Sequence, residues 1–216
     1  MQKLIRAGRN LEALLKEIHA QTLVRSEERT VNVSLPVNMD RSWILASLQR
    51  TAAHYPNLKT EVSADSGIPA LLSGKMDISL ASYRIEDAGL FCLSAGRGYT
   101  FLMASDKYKR RYGLPKSVED LKNHRLLNRF STNLSHADRL ENGKETFFLD
   151  SRCHVLFGDA LACRNMLLAG EGIAIDMNVG FVARELSAGT VFPVLKGWHR
   201  PAGVLPCLRC GGFCDP

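Results

Sequence analysis

The stretch that most constrains this chain is Phe157 to Leu195, FGDALACRNMLLAGEGIAIDMNVGFVARELSAGTVFPVL, where strand-like and helix-like segments alternate. Asp159 is placed to cap a helix over 160–169, because a carboxylate there accepts the orphan amides of the first turn. Leu161, Met166, Leu167 and Leu168 give that helix an apolar face. Gly170 and Gly172 end it, and Ile173 to Ile175 reads as a short buried parallel strand. Asn178 caps a second helix that stops at Gly189, and Val191 to Leu195 reads as the next strand. Such alternation implies a parallel sheet with crossover helices, which takes ligands at the carboxyl ends of its strands. Gly158, Asp159, Asp176, Met177 and Asn178 fall on that edge.

The rest of the chain is expected to be a soluble α/β protein. Its 216 residues suffice for one domain or two small lobes, with 45% hydrophobic and 23% charged residues. No apolar run reaches the length of a membrane span, and the N-terminus lacks the uninterrupted apolar core of a secretory signal, so the expected compartment is the cytoplasm. The net charge of +6 concentrates at Lys107, Lys109, Arg110 and Arg111, with no nucleic-acid-binding pattern around them, and reads as a solvated helix face. Cys92, Cys153 and Cys163 read as buried thiols.

In chain order, Gln2 to Leu23 reads as a packing or dimerisation helix with Leu4, Leu11 and Ile18 at heptad spacing. Val31 to Leu35 is a strand, and Asp40 or Ser42 is positioned to cap a helix from Trp43 to about Tyr55. Ile68 to Leu72 gives a short helix, Met76 to Ser82 a strand entered by a structural Asp77, and Gly96 to Gly98 a turn. Tyr99 to Ser105 is the next strand. Two short helices follow, the second capped by Ser117, then a strand over Leu126 to Phe130 and a helix beginning within Arg129 to Thr132.

Several of these segments resemble one family in order and spacing. HYPNLKTEV, LLSGKMDISL, and the run carrying Ala104, Ser105, Tyr108, Gly113, Pro115, Asp120, Leu121, His124 and Arg125 are similar to the effector domains of LysR-type transcriptional regulators, as is the pattern ending in AGEGIAI and ELSAG. The resemblance implies a two-lobed periplasmic-binding-protein-like (type 2) fold: a linker helix over 1–24, lobe 1 over 31–105 plus 190–200, lobe 2 over 106–189, and an atypical tail over 201–216. It implies a small-molecule effector held between the lobes and a homodimer, or a heterodimer with a full-length relative. DNA would be reached only through a helix-turn-helix domain that does not precede this stretch.

The expected effector-binding residues are Asn38, Asp40, Ser42, Ser82, Tyr83, Arg129, Ser131, Thr132, Asp159 and Asp176, all at expected strand ends or helix starts. By the resemblance, Ser42, Ser131 and Asp159 stand foremost. A carboxylate-bearing metabolite suits hydroxyls and helix amides, but the three aspartates repel it unless Arg129 intervenes; a polyol or an amine is equally open. Asp176-Met177-Asn178 stands where the family usually has a proline.

No G-x-S-x-G elbow frames a nucleophile, and Cys163 lies mid-helix among apolar residues, so neither an enzyme nor a cofactor is expected. The other function class is a stand-alone solute-binding protein or enzyme on the same fold. Cys207, Cys210, Cys214 and His199 match a zinc site only loosely. The competing reading of the tail is a truncated or frameshifted end, which would leave the first lobe without a closing piece, with exposed apolar surface and marginal stability, and the product inactive.

Overall fold

The computed structural model describes residues 29–36, 41–55, 57–64, 68–81, 90–94, 100–130, 135–150, 152–201 and 207–211. Contacts divide the chain into two compact units, Met1–Val37, Arg41–Gly98 and Val204–Pro216 in the first, and Asn38–Asp40 and Tyr99–Gly203 in the second.

In the first unit, strand β1 (Arg29–Ser34) is followed by helix α1 (Ser42–Ala52), β2 (Leu58–Ser63), α2 (Ile68–Leu72), β3 (Ile78–Ala81) and β4 (Leu90–Ser94). The second unit runs β5 (Thr100–Ser105), α3 (Asp106–Tyr112), a 3-10 turn at Glu119–Asn123 and β6 (Arg125–Arg129). A hairpin of β7 (Arg139–Asn142) and β8 (Glu145–Phe148) comes next, then β9 (His154–Gly158) and α4 (Ala160–Ala169). β10 (Ile173–Asn178), a 3-10 turn at Val179–Val182, α5 (Ala183–Ser187) and β11 (Val191–Pro193) complete it. The last strand, β12 (Cys207–Gly211), belongs to the first unit.

Each unit is built on a five-stranded sheet, and the two sheets have one topology. The orders are β2-β1-β3-β12-β4 and, read from the corresponding edge, β9-β6-β10-β5-β11. β12 runs antiparallel to β3 and β4, and β5 antiparallel to β10 and β11. The fourth slot of each sheet is thus filled by the stretch of chain that follows the other unit.

Side chains sort by the two-residue period of a strand. Leu102, Ala104, Leu126, Ile173 and Ile175 join Tyr108 and Leu121 in one core cluster, while Met103, Leu127 and Ala174 join Cys163, Leu167 and Val182 in another. A sheet buried on both faces therefore reads as continuous apolar runs. In the first unit Val31, Val33, Ile44, Leu48, Ile78 and Leu80 are buried, with Ile44, Ser47, Leu48 and Thr51 on the inward face of α1.

The tyrosine- and histidine-bearing run between β5 and β6 is a structural lock. Ser105 caps α3 by accepting the Tyr108 N–H, and the Tyr108 hydroxyl lies 2.9 Å from His124 Nδ1 and accepts the Arg125 N–H at 3.1 Å. Asp120 accepts the N–H groups of Lys116 and Ser117 at 2.8 and 3.1 Å. Lys107, Lys109, Arg110 and Arg111 lie exposed on α3, and Asp77 anchors β1 by accepting the Asn32 N–H at 2.8 Å.

Several expectations need correction. Thr100–Ser105 and the 190–200 stretch fall in the second unit rather than the first, because β5 and β11 hydrogen-bond beside β10. Arg129 does not begin a helix; it ends β6, and the next described elements are the β7–β8 hairpin. Ser117 is not a cap, since Val118 holds that position without a side-chain bond. The N-cap position of α1 is held by Arg41, without a side-chain cap bond, rather than by Ser42, which is the first residue of the helix. The tail supplies a paired strand, with Cys207 opposite Ala81 and Ser94, and therefore gives the first sheet its fifth strand; two-sided pairing is not the turn a C-x2-C metal knuckle requires. The expected helix over Gln2 to Leu23, the Gly96–Gly98 turn and Asp40 lie outside the described residues.

Candidate functional site

The carboxyl edge of the second sheet carries a cluster of buried charge. Arg129 is the last residue of β6, in register with Gly158 at the end of β9, and the Phe130 N–H continues the ladder by donating to the Gly158 carbonyl at 3.0 Å. Asp176 lies in β10, not beyond it. The apolar run stops at Ile175, but pairing of Met177 and Asn178 with Phe101 and Thr100 carries the strand through Asn178.

The Asp176 side chain is 3% exposed, and its Oδ2 accepts both Arg129 Nε at 3.1 Å and Arg200 Nη1 at 2.8 Å. Burying a lone carboxylate would be prohibitive; two guanidiniums make it tolerable. Arg200 Nη1 also reaches the Arg129 carbonyl at 3.4 Å, and its Nη2 donates to the Ser135 carbonyl.

The segment carrying Arg200 is held by the hairpin. Glu141 and His199 exchange backbone hydrogen bonds of 2.9 and 3.0 Å. Asn128, buried beside Arg129 in sequence, grips the approach to the hairpin through reciprocal bonds to Ala137 of 2.7 and 3.0 Å. Gly197 takes φ 94°, a left-handed conformation that favours glycine, where the segment passes the Asn142 side chain of the hairpin.

Asp159 is exposed and caps α4, its Oδ1 accepting the Ala162 N–H at 2.7 Å. Cys163 is buried one turn on, and burial, followed by the Asp176 charge, pushes its thiol up to about 11. Such a thiol stays protonated at neutral pH and is no nucleophile. An open groove of about 330 Å3 elsewhere on the second unit, lined by Trp198, Lys116, Glu145 and Lys196 among others, contains none of the expected site residues.

Of the expected residues, Arg129 and Asp176 come together, Asp159 sits at the start of the helix after β9, and Ser42 lies in the first unit on α1. Asn38, Asp40, Ser82, Tyr83, Ser131 and Thr132 lie outside the described residues. Arg200 was missed because it lies in a tail that departs from the family pattern. The hairpin that places it had a signal: Asn142-Gly143 between alternating residues marks a tight turn, and Gly143 has φ 62°.

The sequence profile described as the LysR substrate binding domain matches residues 25–205. The chain belongs to the LysR substrate-binding domain family. A curated relative, an HTH-type transcriptional regulator of Xanthomonas campestris pv. campestris, is 25% identical over 183 residues, covering 83% of this chain and 53% of the relative. The HTH-type transcriptional regulator PtxR of Pseudomonas aeruginosa is 22% identical over 169 residues, 77% of this chain and 53% of its own. The chain thus spans about half the length of the curated relatives it matches.

Among solved structures, the LysR-type transcriptional regulator CrgA of Neisseria meningitidis superposes with a TM-score of 0.74 at 19% identity, over 94% of this chain and 69% of its own. The regulatory domain of AphB from Vibrio vulnificus gives 0.69 at 22% identity, over 83% and 89%. The paired 2-1-3-n-4 sheets are accordingly the type 2 periplasmic-binding-protein-like fold of LysR regulatory domains. The chain is the effector-binding domain of a LysR-type regulator, a family of transcriptional regulators. Among the described residues no helix is long and apolar enough to cross a membrane, and no group of three or more His, Cys, Asp or Glu side chains could hold a metal.

Proposed function

We propose that this domain senses a small metabolite on the carboxyl edge of its second sheet and, joined to a DNA-binding part like that of its HTH-type relatives, controls transcription in the cytoplasm. The observation that carries the reading is the Arg129–Asp176–Arg200 cluster, an ordered set of charges on the edge where open α/β sheets receive ligands. Asp159, Ser42, and the expected Asn38, Asp40, Ser82, Tyr83, Ser131 and Thr132 are the further proposed contacts. The mechanism is a population shift: a ligand that binds one arrangement of the domain better than another moves the equilibrium toward it.

Self-association, or pairing with a full-length relative, is part of the proposal. Leu156 and Phe157 on the open-edge strand β9, and Leu161 on α4, are 43%, 51% and 56% exposed, more apolar surface than an edge strand of a monomer ordinarily shows. Light scattering of the purified chain should give a dimer mass that Leu161→Asp reduces to the monomer.

A thermal-shift screen against carboxylates, amino acids, sugars and polyamines tests the sensor reading. A ligand present at 100 times its Kd stabilises by about 2.7 kcal/mol, or roughly 5 to 10 °C for a chain of this size. Arg129→Ala should abolish the shift. A cooperative melt that no metabolite moves would count against the reading.

A further inference from the structure

Arg200 is four residues from Val204, where the chain re-enters the first unit, and its guanidinium is fixed more firmly than its place in a connecting segment requires. The side chain is 12% exposed. A guanidinium carries five N–H donors. Among the described residues Arg200 meets three acceptors: Asp176 Oδ2, the Arg129 carbonyl and the Ser135 carbonyl. Nε–H and one hydrogen of Nη2 find no acceptor among the described residues, and Nε is not sealed from solvent, since Ser34 Oγ is the fully buried side-chain atom left without a partner among those residues.

We propose that these two donors receive the oxyanion of the effector, so that the ligand class of this domain is a small organic anion, a carboxylate or a phosphate. The inference rests on the effector-binding reading above and narrows it. Nε–H and the Nη2–H beside it point in parallel from one edge of the planar guanidinium, the geometry that meets two oxygens of one oxyanion. Both donors are held in place before the ligand arrives, which lowers the ordering cost of binding.

The surrounding charges separate the three chemical classes the sequence left open. An ammonium reaching the other carboxylate oxygen of Asp176 would meet two guanidinium charges already gathered around that one acid. A neutral polyol would leave the charge on Arg200 shared with Arg129 over a single carboxylate oxygen. An oxyanion completes the neutralisation of Arg200. Asp159 is not among Arg200's partners; its Oδ1 accepts from Ala162 on α4.

The test uses the full chain, titrated with acetate, succinate, inorganic phosphate, glucose and putrescine at matched ionic strength, with melting temperature and the fluorescence of Trp198, two residues away, as readouts. At least one of the three anions should raise the midpoint of the native chain. Arg200→Gln should weaken that anion about 10- to 100-fold, the loss expected of hydrogen bonds to a charged group. Arg200→Lys, which keeps the charge and loses the fork, should fall between, and carries the test if the glutamine variant does not melt cooperatively. Response to succinate or acetate alone assigns a carboxylate; response to phosphate alone assigns a phosphate. Stabilisation only by glucose or putrescine, or anion binding unchanged in both variants, overturns the inference while leaving the sensor reading in place. A cooperative melt that none of the five compounds moves overturns the oxyanion inference.

Discussion

At the end of its first strand each unit does the same thing with its backbone and something different with its side chain. Ser34 ends β1 and Arg129 ends β6. The next residues, Leu35 and Phe130, donate to the carbonyls of Ser63 and Gly158, which end the neighbouring strands, at 2.9 and 3.0 Å. Ser34 is fully buried with its hydroxyl unbonded among the described residues, whereas Arg129 joins a three-residue charge cluster. The connections that follow also differ. The first unit inserts the helix α1 and the second the β7–β8 hairpin, whose backbone exchange with His199 brings Arg200 to Asp176. Strand pairing fixes the topology of both sheets; the connections are free to vary, and the charge cluster exists because of one such variation.

If the second edge is held by charge and the first by apolar packing, substitutions at equivalent places should have effects of different size and sign. The largest belongs to Asp176→Ala. It leaves two mostly buried guanidiniums without their shared carboxylate, and breaking a buried pair in this way costs about 3 to 5 kcal/mol. Urea denaturation should show the midpoint falling with little change in slope. A loss below about 1 kcal/mol would mean that the cluster is solvated enough to behave as a surface pair.

Next in size is the lock beneath the sheet. Tyr108→Phe strands the Arg125 N–H and His124 Nδ1, at a cost of about 1 to 3 kcal/mol in the same experiment. The pH dependence has a definite sign. Burial holds His124 below its ordinary value, with Asp120 opposing. The unfolded chain therefore takes up the proton first, so this contribution is complete above the unfolded value of 6.5 and declines as pH falls through 6.5 toward the depressed folded value. Urea midpoints measured from about pH 8 to about pH 5 should trace that decline, and His124→Gln should flatten it. A midpoint that rises on acidification would contradict the buried neutral imidazole.

What could be read from the sequence follows the range of the forces involved. Helix α4 was legible to the residue, because its signals are local: Asp159 reaches an amide three residues on, and Gly170 takes φ 80° at its end. Asp176 is different. The local sequence places it after a strand, but long-range pairing with β5 and two distant arginines let an acid sit inside one. The two antiparallel strands show the same divide. β5 carries the apolar run Phe101 to Ala104 and announces itself, whereas β12, CLRCG, reads as a cysteine motif and becomes a strand only through the partners on both sides.

A smaller effect is expected at α4. Asp159→Ala removes a side-chain cap and should cost about 1 kcal/mol, visible as a lower urea midpoint. α1 has no side-chain cap to lose and no acid in its first turn. Introducing one there, by Arg41→Asp, should therefore gain a few tenths to about 1 kcal/mol. No gain at Arg41 alongside the full loss at Asp159 would mean that the α1 amides are already satisfied, and the contrast between the two helix entries would close.

The smallest effect, and the one of opposite sign, is Ser34→Ala. Arg129 cannot be removed without losing partners, but the Ser34 hydroxyl has none among the described residues, and a buried hydroxyl without a bond costs free energy that a methyl does not. The substitution should leave stability unchanged or raise it by up to about 1 kcal/mol. The decisive comparison is with Asp176→Ala under identical conditions. Opposite signs at the two edges would establish that one is built on ionic contacts and the other on packing. A loss at Ser34 comparable to the Asp159 cap would show that its hydroxyl is bonded in solution, making the ends of β1 and β6 two versions of one polar anchor.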